Sequence, residues 1–289
     1  MSLMIDFIYQ TLPFREAGLL AGMLLGDKSG FDNTFYENLK QTGLIHLVVV
    51  SGTNVMLISK TLIENLAKYL GRKRIIILTL FIIWWYVGIS GWEIPVVRAA
   101  ILVSIFYWAQ ILGRKYNIGR GFGLTVLIMI LFSWQIIKEV SFWLSFMAFF
   151  GVISVDMVFK PDGKKMCMRE EIILQSRTVV WVSLLISPIL ALIFGKISLI
   201  SPISNVLVLV LVETITLVGF AGTLIGIFLP IIGEIILWAI YPMLKYMAVI
   251  IDGLGSMNWV SANINFNWWL FWGWYLIIFS FILKRSHEK

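Results

Sequence analysis

Charge is scarce in this sequence, and so are the residues that usually carry chemistry. Of 289 residues only 13% are Asp, Glu, Lys or Arg, while 60% are hydrophobic. The mean hydropathy lies far above that of a soluble domain, and no soluble domain of useful size is left over between the apolar runs. The single cysteine, Cys167, excludes an internal disulfide; its surroundings, KPDGKKMCMREE, read as a charged loop and not as a metal site with ligand spacing. The two histidines, His46 and His287, make no HExxH pair. A Cys/His ligand set, a phosphate-cradling glycine loop and a nucleophile elbow are also missing from the sequence. Ser51 and His46 would point about 140° apart on a helix, so they form no Ser/His pair. The expectation is a protein that is not an enzyme, with no catalytic residue, metal or cofactor.

What is present is apolar length. A hydrocarbon core of roughly 30 Å needs about 20 apolar residues to cross it as helix, and such runs recur from Leu44 almost to the C-terminus. They fall at 44–63, 75–90, 95–112, 121–137, 140–158, 173–194, 199–219, 231–251 and 267–283. The fold expected is an all-α, polytopic integral membrane bundle of about nine spans, organised as an extracytoplasmic or interfacial segment 1–43, a transmembrane domain 44–283 and a cytoplasmic tail 284–289. The opening MSLMIDFIYQTLPFREAG lacks the basic start and small-residue cleavage site of a signal peptide and reads as mature sequence.

The formal net charge of +7 is explained first by topology. Lys68, Arg72, Lys73 and Arg74 follow the first run; Arg114, Lys115 and Arg120 the third; Lys160, Lys164, Lys165 and Arg169 the fifth; Lys284, Arg285 and Lys289 the last. By the positive-inside rule these connections are cytoplasmic, which puts the N-terminus outside and the C-terminus inside a plasma (inner) membrane. Trp84, Trp85, Trp92, Trp134, Trp268 and Trp269 then lie toward the outer ends of their spans, as an interfacial belt requires.

Two stretches do not fit a simple span. The segment near 197–234 is too long for one crossing and contains Pro202, Glu213, several glycines and Pro230, so a broken or re-entrant region is expected there. Phe14 to Leu25 is too short to span and either lies at the interface or packs on the bundle. It ends in the turn-rich Gly26-Asp27-Lys28-Ser29-Gly30.

Polar residues inside the apolar runs are the candidate functional ones. In GLIHLVVVSGTNVMLIS, taken as helix, Ser51, Asn54, Thr61 and Asn65 share one narrow face, and Gly52 permits close approach of a neighbour. Such residues act either as interhelical hydrogen-bonding glue or as the lining of a path. His46 is ionisable within a span and therefore a functional candidate. Arg98, one turn into a helix that starts at Pro95, sits where the helix dipole disfavours a cation, so an anion belongs nearby: Glu93 or Glu139 as an internal ion pair, or a passing phosphate. Ser141 and Ser145 share a face of the fifth run.

The stretches LLAGMLLGDKSGFDNTFYENLKQTGLIHLVVVSGTNVMLI, PVVRAAIL and SFWLSFMAFFGV, in that order, resemble the membrane domain of the ComEC competence proteins, and GKISLISPISNVLVLVLVE is similar to the segment that follows in that family. The resemblance covers about residues 16 to 215 and picks out Gly26, Asp27, Ser29 and Gly30 near the N-terminus, then His46, Ser51, Gly52, Arg98 and Ser145. The chain departs from many relatives at Asn54, where they have His, at Glu139, where they have Asp, at Ser141, where they have Gly, and at Trp143, where they have Gln. Asn54 keeps a donor and an acceptor but not a titratable group.

The resemblance implies an inner-membrane channel for single-stranded DNA in natural transformation, whose path runs by His46, Ser51, Gly52, Asn54, Arg98, Glu139 and Ser145. Full-length relatives usually carry an OB-like domain before this region and a metallo-β-lactamase-like domain after it, and the expectation is that this chain has neither. The partners implied are single-stranded DNA, membrane lipid, and separate DNA-receptor, nuclease and cytoplasmic ATPase proteins; a homo-oligomer is left open. Two other classes stay open on the residues alone: a membrane-embedded enzyme or binding protein for a lipid-linked anion, using His46, Glu139 and Arg98, and a small-anion transporter built on 197–234.

Overall fold

The structure is a computed structural model and describes residues 1–45, 51–159, 168–194, 196–198, 200–257, 261–263 and 268–287. His46 and Cys167 lie outside the described residues. The helices are α1 (Ser2–Thr11), α2 (Phe14–Leu25), α3 (Asn33–Gln41), α4 (Gly52–Leu70), α5 (Arg72–Ile89), α6 (Ile94–Ile111), α7 (Ile118–Phe132), α8 (Val140–Phe159), α9 (Met168–Phe194), α10 (Ser201–Phe228), α11 (Pro230–Gly255) and α12 (Trp268–His287). A 3-10 turn, Trp134–Lys138, precedes α8. Two three-residue strands, β1 (Lys196–Ser198) and β2 (Ser261–Asn263), pair antiparallel with Ile197 opposite Ala262.

Helices α4 to α12 match the nine apolar runs one to one, but the span count of nine does not follow. By length and composition three of the described helices are long and apolar enough to cross a membrane: Ile94–Ile111, Ile203–Phe228 and Pro230–Gly255. Helix α7, with 15 residues, rises only about 22 Å, short of a hydrocarbon core. Helix α4 carries Lys60, Glu64 and Lys68 along its second half, and α5 opens on three consecutive basic residues.

The region near 197–234 holds one helix break among the described residues, late in the segment. It consists of β1 and then 28 residues of continuous helix α10, and the interruption falls at Leu229, between α10 and α11. Helix survives the glycines because each one admits a neighbour: Leu20 at Gly219, Ile236 at Gly222 and Phe7 at Gly226. Pro95, Pro202 and Pro230 stand in the first turns of α6, α10 and α11, where a missing N–H is no loss.

The chain divides into two compact units. The first comprises Met1–Asn33, Ile45–Phe142 and Val210–Val249; the second comprises Thr34–Leu44, Trp143–Leu209 and Ile250–Lys289. In the first unit Val55 and Ile58 of α4, Ile76, Leu80 and Ile83 of α5, and Val96, Ala100 and Val103 of α6 form a common core. Helix α2 is buried on every side from Ala17 to Leu25, so it packs within this unit. Among lipid tails apolar contact alone gives little preference for another helix, so close packing and hydrogen bonds hold such a bundle together.

In the second unit Val155 of α8, Trp181 and Leu185 of α9 and Ile282 of α12 form the core. Pro188 inside α9 has no N–H to offer the carbonyl of Leu184. The indole of Trp274 donates to that carbonyl at 3.1 Å, and the Tyr275 hydroxyl donates to the Leu185 carbonyl at 2.8 Å. In the same unit the Ser204 hydroxyl donates to the Thr42 carbonyl at 2.7 Å, tying the first turns of α10 to the end of α3.

Candidate functional site

The first unit gathers part of the sequence-derived residue set. Helix α4 starts at Gly52 and not at 44, because Ser51 takes an extended conformation (φ −103°, ψ 150°) as N-cap. Ser51-Gly52-Thr53-Asn54 is a run of residues that favour helix starts, since their short polar side chains compete for the free N–H groups. Ser51 is therefore at a helix entrance. Its hydroxyl pairs with that of Thr53 and donates to Asn54 Oδ1 at 3.1 Å.

Asn54 is 2% exposed, and its amide nitrogen donates to the Met23 carbonyl at 2.8 Å and to the Tyr86 hydroxyl at 3.1 Å. Tyr86 in turn donates to the Leu24 carbonyl at 2.8 Å. The last carbonyls of a helix have no intrahelical partner, and at the end of α2 they belong to buried residues. Gly26, in the left-handed conformation (φ 76°), closes α2 by donating to Gly22. Met23 and Leu24 are served by Asn54 and Tyr86. The polar residue in the apolar run thus caps a neighbouring helix. Lower on α4 the stripe loses this character: Asn65 is exposed and bonds to the Thr61 carbonyl of its own helix.

Beyond Gly26, the Asp27 carboxylate accepts from the Ser29 N–H at 3.1 Å, from the Ser29 hydroxyl at 2.8 Å and from the Tyr9 hydroxyl at 3.4 Å. Burial pushes the Tyr9 hydroxyl above its ordinary pKa. A Cβ on Gly30 would come within 2.8 Å of the Gly18 Cα, so the turn lies directly on α2. The Gly26-Asp27-Ser29-Gly30 motif is a built loop that fixes the end of α2 against which Asn54 bonds.

The entrances of α4 and α6 touch. A Cβ on Gly52 would lie 3.1 Å from the Pro95 carbonyl oxygen, 3.0 Å from the Ala99 methyl and 3.7 Å from a guanidinium nitrogen of Arg98. Two positive helix ends and a guanidinium therefore converge on one place. The other terminal nitrogen of Arg98, Nη1, is buried and has no hydrogen-bond partner among the described residues. The expected internal ion pair with Glu93 or Glu139 is not formed among the described residues; both carboxylate residues are exposed. Glu93 occupies the N-cap position of α6 without capping it, and Glu139 stands in extended chain after the 3-10 turn.

The structure therefore brings together Ser51, Gly52, Asn54 and Arg98, with the Gly26–Gly30 loop behind Asn54. Ser145 is a half-buried residue of α8 in the second unit. Tyr86 is the functional neighbour the sequence did not mark: one aromatic in a run that also holds Trp84 and Trp85, with no pattern to single it out. Among the described residues no group of three or more His, Cys, Asp or Glu is placed to hold a metal.

The Competence protein family model matches residues 23–287 of the chain. Over 157 residues, 54% of this chain and 20% of the relative, it is 23% identical to ComE operon protein 3 of Bacillus subtilis (strain 168). Over 279 residues, 92% of this chain and 37% of the relative, it is 23% identical to Uncharacterized protein YcaI of Escherichia coli (strain K12). The chain thus matches only a fifth to somewhat over a third of the length of these relatives. No solved structure matches.

Proposed function

From the premise that the chain belongs to the Competence protein family, we propose that it acts in DNA uptake as an inner-membrane channel for a single strand of DNA. It crosses the membrane with its N-terminus outside and its C-terminus in the cytoplasm, and more of helices α4 to α12 cross than the three that qualify by length and apolarity alone. The observation that carries this reading is Arg98: a buried guanidinium nitrogen without a partner among the described residues, at the joined entrances of α4 and α6. A buried cation is costly unless an anion or hydrogen-bond acceptor meets it. A phosphodiester supplies both, and Arg presents a planar fork that matches it.

One phosphate at a time would be held by Arg98 at the N-terminal turn of α4, then released to the next. A single such contact suits conduction, in which each group must leave as readily as it enters. Asn54 and Tyr86 act from behind, keeping α2, α4 and α5 in register. The nuclease that frees one strand, the receptor that delivers it and the ATPase that draws it in are separate proteins in this reading.

The test is a transformable host lacking the gene, complemented with wild type, Arg98→Ala or Arg98→Lys. Labelled DNA should reach the cytoplasm with wild type, fail with Arg98→Ala and recover in part with Arg98→Lys. Undiminished entry with Arg98→Ala, at equal protein levels, would sink the channel reading.

A further inference from the structure

We propose that the second unit holds an anionic phospholipid, its acyl chain in a groove between α9 and α12 and its phosphate at Arg177. The groove has a volume of about 480 Å³, within the usual range for small-ligand sites of about 300–1,000 Å³. Ile173, Val180, Trp181 and Leu184 of α9 and Phe281 of α12 line it, and the wall is almost wholly apolar. The indole N–H of Trp181 donates to Ser154 at 2.9 Å. Trp181 and Phe281 meet at 5.8 Å between ring centroids and floor it.

Charge selects the occupant. Arg177 is the only charged residue among the described residues that line the groove, and Ser176 beside it adds a hydroxyl. On α9, Ile173, Arg177, Trp181 and Leu184 recur at helical spacing along one face, so the cation stands in line with the apolar floor. Helix α12 runs antiparallel to α9: Trp274 meets Leu184, while Phe281 meets Trp181. Lys284, one turn past Phe281, is exposed at the same end as Arg177. Glu170 lies two turns before Arg177 on α9, beyond the groove's lining. An apolar slot with an arginine in its lining, and a lysine exposed one turn past Phe281, complements an acyl chain joined to a phosphate; basic pockets between membrane helices hold anionic headgroups for this reason. A soluble phosphate would leave the slot unfilled. The inference requires that the chain lie in a bilayer but not that it conduct DNA.

The experiment is native mass spectrometry of the purified full chain in detergent, titrated with phosphatidylglycerol, phosphatidylcholine or glycerol phosphate. Phosphatidylglycerol should be retained about fivefold over phosphatidylcholine, the worth of one basic contact at a membrane surface, and glycerol phosphate should not be retained. Arg177→Glu should abolish the preference, Arg177→Lys should keep most of it, and Leu184→Trp, which fills the slot, should lower retention of both lipids while circular dichroism stays helical. Equal retention of the two lipids by wild type, or a preference unchanged in Arg177→Glu, would overturn the proposal. So would a change from dimer to monomer mass in Leu184→Trp, which would identify a second copy as the occupant.

Discussion

Asn54 and Tyr86 are bonded to one another at 3.1 Å and divide between them two adjacent carbonyls at the end of α2, Met23 for Asn54 and Leu24 for Tyr86, each at 2.8 Å. The three helices α2, α4 and α5 are fastened at this point by four polar groups with almost no water access.

Asn54→Ala should lower stability by about 1–3 kcal/mol, because it leaves the Met23 carbonyl buried and unbonded. Tyr86→Phe does the same to Leu24. The double variant should lose less than the sum of the two, since the bond between the residues is counted in both. Asn54→His keeps one ring N–H for Met23 and should fall between wild type and alanine. Thermal unfolding in detergent reads all four.

Arg98→Ala separates stability from function. Removing a cation whose Nη1 is buried with no partner among the described residues removes a desolvation cost, so the thermal midpoint should hold or rise. DNA entry should fall about tenfold or more, the loss of one charge-assisted contact. Parallel falls in midpoint and entry would instead mark Arg98 as structural.

Gly52→Ala should force the entrances of α4 and α6 apart by a few tenths of an ångström, since its methyl would sit 3.0 Å from that of Ala99 and 3.1 Å from the Pro95 oxygen. The expected cost is about 1–3 kcal/mol in thermal unfolding, with a larger proportional loss of DNA entry, because the same movement draws the α4 N–H groups away from Arg98.

Gly233→Ala and Gly219→Ala should differ. A methyl on Gly233 falls on the α10 backbone at Gly226, which cannot yield; one on Gly219 meets the flexible end of Leu20, 2.6 Å away. Gly233→Ala should therefore destabilise by about 1–3 kcal/mol or more, and Gly219→Ala by less, measured as thermal midpoints under one detergent condition.

The apolar runs were legible because length and hydropathy are properties of the chain itself, and α4 to α12 lie where they fall. Their ends were less legible. Ser51-Gly52-Thr53-Asn54 carries a helix-start signature, yet hydropathy averaged over a span hides it within an apolar run. The glycines of α10 read as breaks because a glycine on paper lacks its neighbours; Leu20, Ile236 and Phe7 occupy those positions only once the chain is folded. The span count does not follow from the runs alone, because a helix such as the 15-residue α7 rises less than the thickness of a hydrocarbon core.

Sequence alone determined the helical class, the membrane setting and the short list of polar residues that called for explanation, because burying or exposing a side chain of given chemistry has a cost wherever it sits. Tertiary structure decided what each does. Asn54 became a cap because the open end of α2 lies within 2.8 Å of its amide, and Arg98 became the candidate anion site because the carboxylates expected to neutralise it stand exposed elsewhere. Both outcomes depend on distances between residues far apart in the chain, which composition and spacing do not encode.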